Sequence, residues 1–223
     1  MTECITVIDG QCSIVGLGLE ALPPTILERA AEITHLDLTA NSLTCLSEIR
    51  FFPHLRTLIL DNNNLKSLAG FPKLPQLTTL WLNNNKIADL NYALDCLEGK
   101  TPRLQYFSLL GNPACPSVLS GATEHEYLRY RIYVIFRMGR SLRFLESKPV
   151  KKEEYATAEV NGKFMKVAKP IAPAEAPAEP QSTFYEPDPA RPGRHASYLT
   201  RTGGRTYTGK HSEGNRFIKD SEL

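Results

Sequence analysis

The sequence predicts an α/β solenoid: a short parallel sheet on a concave face, a cap at each end, and a carboxyl-terminal tail with no core of its own. Three observations carry that expectation. An apolar motif recurs at a fixed interval, the segments on either side of it break the motif as caps do, and the composition changes after Pro149.

The motif comes first. ITHLDLTANSL from Ile33, LRTLILDNNNL from Leu55 and LTTLWLNNNKI from Leu77 follow one template, with starts 22 residues apart. LQYFSLLGNPA from Leu104 keeps Phe107, Leu109 and Asn112 in register after a longer interval. The pattern L-x-x-L-x-L-x-x-N-x-L at this spacing is the leucine-rich repeat. Four repeats are therefore expected over residues 33–112. Residues 36, 38, 58, 60, 80, 82, 107 and 109 should point inward from short strands, because side chains alternate along a strand. No single repeat can bury its apolar side, so stacking must close the core. Asn41, Asn63, Asn85 and Asn112 fall where the chain leaves each strand. An amide side chain both donates and accepts, so stacked asparagines can satisfy the backbone groups of the turn. They are expected to be a structural ladder.

A solenoid needs ends that tolerate water. Residues 1–32 are expected to form the amino-terminal cap, with an atypical first repeat and a helical turn. Residues 113–150 are expected to form the carboxyl-terminal cap. There Pro113 and Pro116 stop the last turn, and Glu124 to Met138 has helical composition with an apolar face. Leu142, Phe144 and Leu145 should supply a final edge strand. The extra residues before the fourth repeat contain Tyr92, Ala93, Leu94 and Leu97, which suit a short convex helix. Residues 151–223 hold only nine Leu, Ile, Val or Phe and include PIAPAEAPAEP. That composition predicts a largely disordered tail.

Composition removes several functions. A formal net charge of +2 gives no general argument for nucleic-acid binding. No apolar run is long enough to span a bilayer. The first residues carry no basic leader, so a cytoplasmic protein is expected. Five cysteines without C-x-x-C spacing suggest reduced thiols, with no structural metal and no cofactor. No nucleophile motif or carboxylate pair converges, so the chain is expected not to be an enzyme. Gly204 to His211 nearly matches a phosphate loop, but His211 stands where the metal-binding hydroxyl belongs.

Two candidate binding sites remain. Outward positions of the strands form the concave face, where Ile59, Trp81, Tyr106 and Leu110 are expected to stand laterally adjacent, with Asp37 and Asp61 beside them. A tryptophan among apolar neighbours is the composition of an interface centre. At the carboxyl end, Phe217 and Ile218 precede Asp220, Glu222 and Leu223. Apolar anchors followed by acids and a terminal carboxylate suit capture in a groove. The basic cap helix, with Arg129, Arg131, Arg137, Arg140 and Arg143 among tyrosines, invites an RNA reading. Balanced total charge favours a solvated face instead.

NNNLKSLAGFPKLPQLTTLWLNNNKI and YRIYVIFRMGRSLRFLESKPV are similar to the repeat domain of the U2 spliceosomal A-prime proteins, over about residues 1–150. YALDCLEGKTPRLQYFSLLGNPACP, GKFMKVAKP and GKHSEGNRFIKDSEL resemble the family of leucine-rich melanocyte differentiation-associated proteins, and carry the likeness into the tail. This second resemblance implies a monomeric adaptor in melanocyte differentiation and pigment-organelle biogenesis. It implies a Rab-type small GTPase on the repeat domain and the endosomal retriever–Commander assembly on the tail. Those partners would recruit the protein to endosome or melanosome membranes. The first resemblance implies the alternative, a spliceosomal scaffold holding an RNA-binding partner on its repeat face.

Overall fold

The computed structural model of the chain describes residues 6–117 and 121–166. Eight short strands form one sheet in sequence order: β1 (Val7–Ile8), β2 (Gln11–Ser13), β3 (His35–Asp37), β4 (Thr57–Ile59), β5 (Thr79–Trp81), β6 (Tyr106–Ser108), β7 (Phe144–Leu145) and β8 (Lys148–Pro149). From β2 to β7 every pairing is parallel, and homologous positions of successive repeats face each other. The hairpin strands β1 and β8 close the two edges antiparallel. The expected edge strand at Phe144–Leu145 is thus paired on both sides. The turn at Glu146 brings the chain back and adds β8 outside it.

The eight residues assigned inward are all at most 1% exposed. They join Ile33, Leu55, Leu77 and Leu104, together with Leu and Phe side chains from the convex turns, in one continuous core. Each buried leucine contributes about 1.5–3 kcal/mol.

Every ladder asparagine ties its repeat to the one before. The Asn85 Nδ2 donates to the Leu60 carbonyl at 2.9 Å and to the Leu82 carbonyl at 3.0 Å, while its Oδ1 accepts from the Leu65 N–H at 3.1 Å. Asn63 and Asn112 repeat this pattern one rung to either side. Asn41 reaches back to the Ile14 carbonyl at 2.7 Å, which makes β2 the strand of the atypical first repeat. Among the described residues, no buried side-chain nitrogen or oxygen lacks a partner.

The residue just before each asparagine had no place in the sequence argument. Ala40, Asn62, Asn84 and Gly111 all have positive φ, between 52° and 74°. This left-handed turn swings the ladder amide inward. The signal was present as the Asn-Asn doublets and the Gly-Asn pair, since Asn and Gly tolerate that conformation. At Gly111 a side chain is also excluded by space, because an added Cβ would lie 2.1 Å from the Asn84 Oδ1.

Helix α1 (Pro24–Leu27) is a single turn on the amino side. Helix α2 (Leu90–Leu97) fills the expected convex insertion and is capped by the Asp89 side chain, which accepts from the Tyr92 N–H. Helix α3 (Glu124–Met138) begins at a Thr123–Glu126 capping box and ends at Gly139 with φ 75°. The boundary expected at residue 150 is corrected by a further helix, α4 (Lys152–Asn161), packed on α3. Only Ala158 of α4 is buried, so no apolar stripe announced it. Polar pairs and one close approach hold it. At Gly162 an added Cβ would sit 2.3 Å from the Phe136 Cβ. The disorder expected beyond residue 166 lies outside the described residues.

Candidate functional site

The concave face is built from lateral rows, because parallel pairing in register sets each repeat position beside its copies. One row runs His35, Thr57, Thr79, Tyr106, Phe144, and the next runs Ser13, Asp37, Ile59, Trp81, Ser108. This corrects the expectation that Ile59, Trp81, Tyr106 and Leu110 stand side by side. Trp81 has Ile59 on one flank and Ser108 on the other. Tyr106 belongs to the neighbouring row, stacked on Phe144 with ring centroids 5.0 Å apart. Leu110 follows β6 and packs against the core. Trp81 remains 41% exposed and Tyr106 39%, while Ile59 is half-buried.

A hydrogen-bonded chain crosses the carboxyl edge of these strands. The Asn83 backbone N–H and side-chain amide donate to the two oxygens of Asp61 at 2.8 and 3.1 Å. The Asn83 Oδ1 accepts from the Leu110 N–H at 3.0 Å and from the Ser108 hydroxyl at 2.5 Å. Burial pushes the Asp61 carboxyl up, the bonds from Asn83 oppose the rise, and the Asp37 charge adds to it. Asp37 accepts from the Thr39 N–H at 3.0 Å and from its hydroxyl at 2.6 Å.

Glu146 ends the chain of bonds and was missed by the sequence argument. Its Oε1 accepts from the Tyr130 hydroxyl at 2.5 Å, and its Oε2 accepts from the Leu109 N–H at 3.0 Å. The Ser108 hydroxyl lies 2.7 Å from that same Oε2. A serine carries one hydroxyl proton, and Asn83 Oδ1 can only accept. Ser108 therefore sits between two acceptors with one proton to give. A protonated Glu146 would supply the second, and burial raises its carboxyl in that direction against the bonds from Tyr130, Ser108 and Leu109. This is why Ser108, at an outward position, is only 4% exposed.

Three of the five cap arginines are occupied. Arg131, itself buried, donates from Nε to Glu154 at 2.7 Å, from Nη2 to its other oxygen at 3.1 Å, and from Nη1 to the Leu145 carbonyl. Arg137 bridges Asp95 and Glu98 of the α2 region, and Arg140 pairs with Glu159. These are joints between helices.

The described thiols differ: Cys45 is exposed and its hydrogen bond with Ser47 pulls its thiol down, whereas Cys12 and Cys115 are buried. Cys12, Cys45, Cys96 and Cys115 are free. Burial first, then the Glu146 charge, pushes the Cys115 thiol up to about 12, so it stays protonated and is no nucleophile despite lying beside Tyr130 and Glu146. Among the described residues no three His, Cys, Asp or Glu could hold a metal ion. Nor is any described helix long and apolar enough to cross a membrane. Phe217, Ile218, Asp220, Glu222 and Leu223 lie outside the described residues.

Residues 53–96 match the family described as Leucine Rich repeats (2 copies). Over 182 residues the chain is 43% identical to the Homo sapiens leucine-rich melanocyte differentiation-associated protein, an alignment covering 80% of this chain and 91% of that one. The structure is similar to a chain in the crystal structure of the Drosophila melanogaster SNF/U2A′ complex, with a TM-score of 0.55. That likeness covers 69% of this chain and 84% of the other at 24% identity, and shows the fold alone.

Proposed function

This chain belongs to the family of the leucine-rich melanocyte differentiation-associated protein, and from that premise we propose that it is a non-enzymatic adaptor acting in melanocyte differentiation and pigment-organelle biogenesis. Its concave face engages a Rab-type small GTPase. Phe217, Ile218, Asp220, Glu222 and Leu223 engage the endosomal retriever–Commander assembly. The protein acts as a cytoplasmic monomer that these partners bring to endosome or melanosome membranes.

One observation supports the concave face above others: Trp81 is 41% exposed in the middle of the parallel strands. An outward tryptophan beside Ile59 is a costly surface feature unless a partner covers it. The spliceosomal alternative, a scaffold holding an RNA-binding partner on the repeat face, has less support, since the likeness to the U2A′ complex chain is 24% identical and one of fold, against 43% identity over 80% of the chain to the melanocyte relative.

The test is titration of the purified full chain against a Rab-type GTPase loaded with GTP analogue or GDP. Trp81→Ala should weaken binding by on the order of thirtyfold, about 2 kcal/mol, without loss of fold. Phe217→Ala should leave that binding intact and weaken retriever capture. Full GTPase affinity in a folded Trp81→Ala protein would move the site off the concave face.

A further inference from the structure

We propose that the concave face recognises an arginine of its protein partner, set beside an apolar side chain, with the guanidinium held between Asp37 and Asp61 and against the Trp81 ring. This rests on the concave face being the partner-binding surface, and it adds the chemistry of what binds there.

The charge on this face has one sign. None of the outward positions of β3 to β6 or of the residues leading off them is Lys or Arg, whereas Asp37 and Asp61 both stand there. Arg56 and Arg143 come just before their strands, at the opposite lip. Among the described residues, no Lys or Arg pairs with either carboxylate. Each carboxylate also keeps acceptor capacity. Both bonds to Asp37 fall on Oδ1, and each oxygen of Asp61 takes one bond from Asn83. A carboxylate oxygen can accept two.

The register puts these groups within reach of one side chain. Ile59 pairs with Asp37 on one side and with Trp81 on the other. Neighbouring strands lie about 5 Å apart, and residues two apart on one strand lie about 7 Å apart. Asp37, Asp61 and Trp81 therefore surround Ile59, and a long side chain crossing Ile59 meets all three. The stem of that side chain covers the apolar floor while its head stays polar. A planar guanidinium matches both parts of the surround, since it bonds carboxylates in a fork and stacks on an indole face. A lysine ammonium makes the charge contact without the fork.

The experiment selects a phage-displayed random dodecapeptide library on the full chain, with counter-selection on the Trp81→Ala protein. Peptides that survive should be several-fold enriched in arginine next to an apolar residue. Replacing that arginine by glutamine should cost tenfold or more in affinity for the wild type, and little for an Asp37→Asn/Asp61→Asn protein. Asp37→Asn alone serves as the second variant, since among the described residues Asp37 bonds only to Thr39, and its loss spares the Asp61–Asn83 joint. Raising the salt should weaken the wild-type complex and not the double variant. Trp81-dependent peptides without arginine enrichment, or indifferent to both aspartates, would overturn the inference and leave the concave-face reading standing. Failure to recover any Trp81-dependent peptide would remove that reading, and the inference with it.

Discussion

The middle of the solenoid and its carboxyl-terminal cap solve the same problem with different materials. Between β3 and β6 the interior is mainly leucine and phenylalanine, with Ile49, Ile87 and Ala93, and the backbone polar groups at the turns are met by neutral asparagine amides. The cap instead buries the Arg131 guanidinium, the Tyr130 hydroxyl and much of the Glu146 carboxyl. A repeat has a copy of itself to stack on, so apolar shape and one amide suffice. The last repeat has none. The cap must turn a continuous core into a water-facing surface, and charged groups bonded on the inner side allow that change.

The largest expected effect lies in the repeats. Leu60→Ala removes a side chain with no exposure, and should cost about 2–5 kcal/mol by leaving a cavity that neighbouring turns cannot close. Urea unfolding followed by circular dichroism measures it. A loss below about 1 kcal/mol would mean that the repeats relax more than a stacked core should.

In the cap, Arg131→Ala should cost about 3 kcal/mol, because it takes the guanidinium from the Leu145 carbonyl and from the Glu154 carboxylate, which keeps only the Lys151 N–H. The figure sits at the low end for broken buried pairs, since the Glu154 side chain keeps 15% exposure and can hydrate. Burial opposes ionisation of Glu154, but the bonds from Arg131 and Lys151 outweigh it and hold its carboxyl below the usual range. A double cycle with Glu154→Gln should show coupling between the two positions. Additive losses would dissolve the claim that α4 is held through this pair.

These two sites also mark what was legible in the sequence. Leu60 was legible because a 22-residue period and strand alternation fix its direction. The span of α3 was legible from its helical composition and apolar face. Helix α4 was not, because one buried alanine gives no apolar period and the Arg131–Glu154 pair joins residues 23 apart. On the candidate site, exposure of Trp81 followed from alternation. Its true neighbours did not, since Tyr106 is one row over and Leu110 turns back to the core. Glu146 escaped notice because its partners come from β6, α3 and the turn between them.

Asn85→Ala tests the ladder and should cost about 2 kcal/mol, because it orphans the buried Leu65 N–H and leaves the Leu60 and Leu82 carbonyls with one amide donor each, from Asn63 and Asn112. A loss near zero in thermal melts would mean that water replaces the amide.

Glu146 gives the comparison a pH axis. Its folded carboxyl is raised, so its contribution to stability is complete below the ordinary glutamate range and is lost as pH rises through the raised value. Glu146→Gln keeps a donor toward Ser108 at every pH. The wild type should therefore lose stability relative to Glu146→Gln as pH rises from about 4 to 8. Asp61 shifts in the same sense but is common to both proteins, so it cancels in the difference. Parallel pH profiles would mean that Glu146 is charged in the folded state.

The smallest effect is a gain, and it comes from the one rung where the repeats depart from their own rule. Ala40 has φ 58° and is exposed, at the position held by Asn62, Asn84 and Gly111 in later repeats. An alanine there accepts left-handed strain of about 1–2 kcal/mol that glycine avoids, while glycine gives back about 0.5–1 through the entropy of the unfolded chain. Asparagine escapes much of both costs. It would also extend the outer row in which the Asn84 amide donates to the Asn62 oxygen at 3.0 Å, since the Asn62 amide could then donate to residue 40. Ala40→Asn should stabilise the protein by about 0.5–1 kcal/mol. The reverse change at the far end, Gly111→Ala, should destabilise it, because strain is joined by collision with Asn84. If both variants melt with the wild type, the left-handed turn is not what sets the ladder asparagines in place.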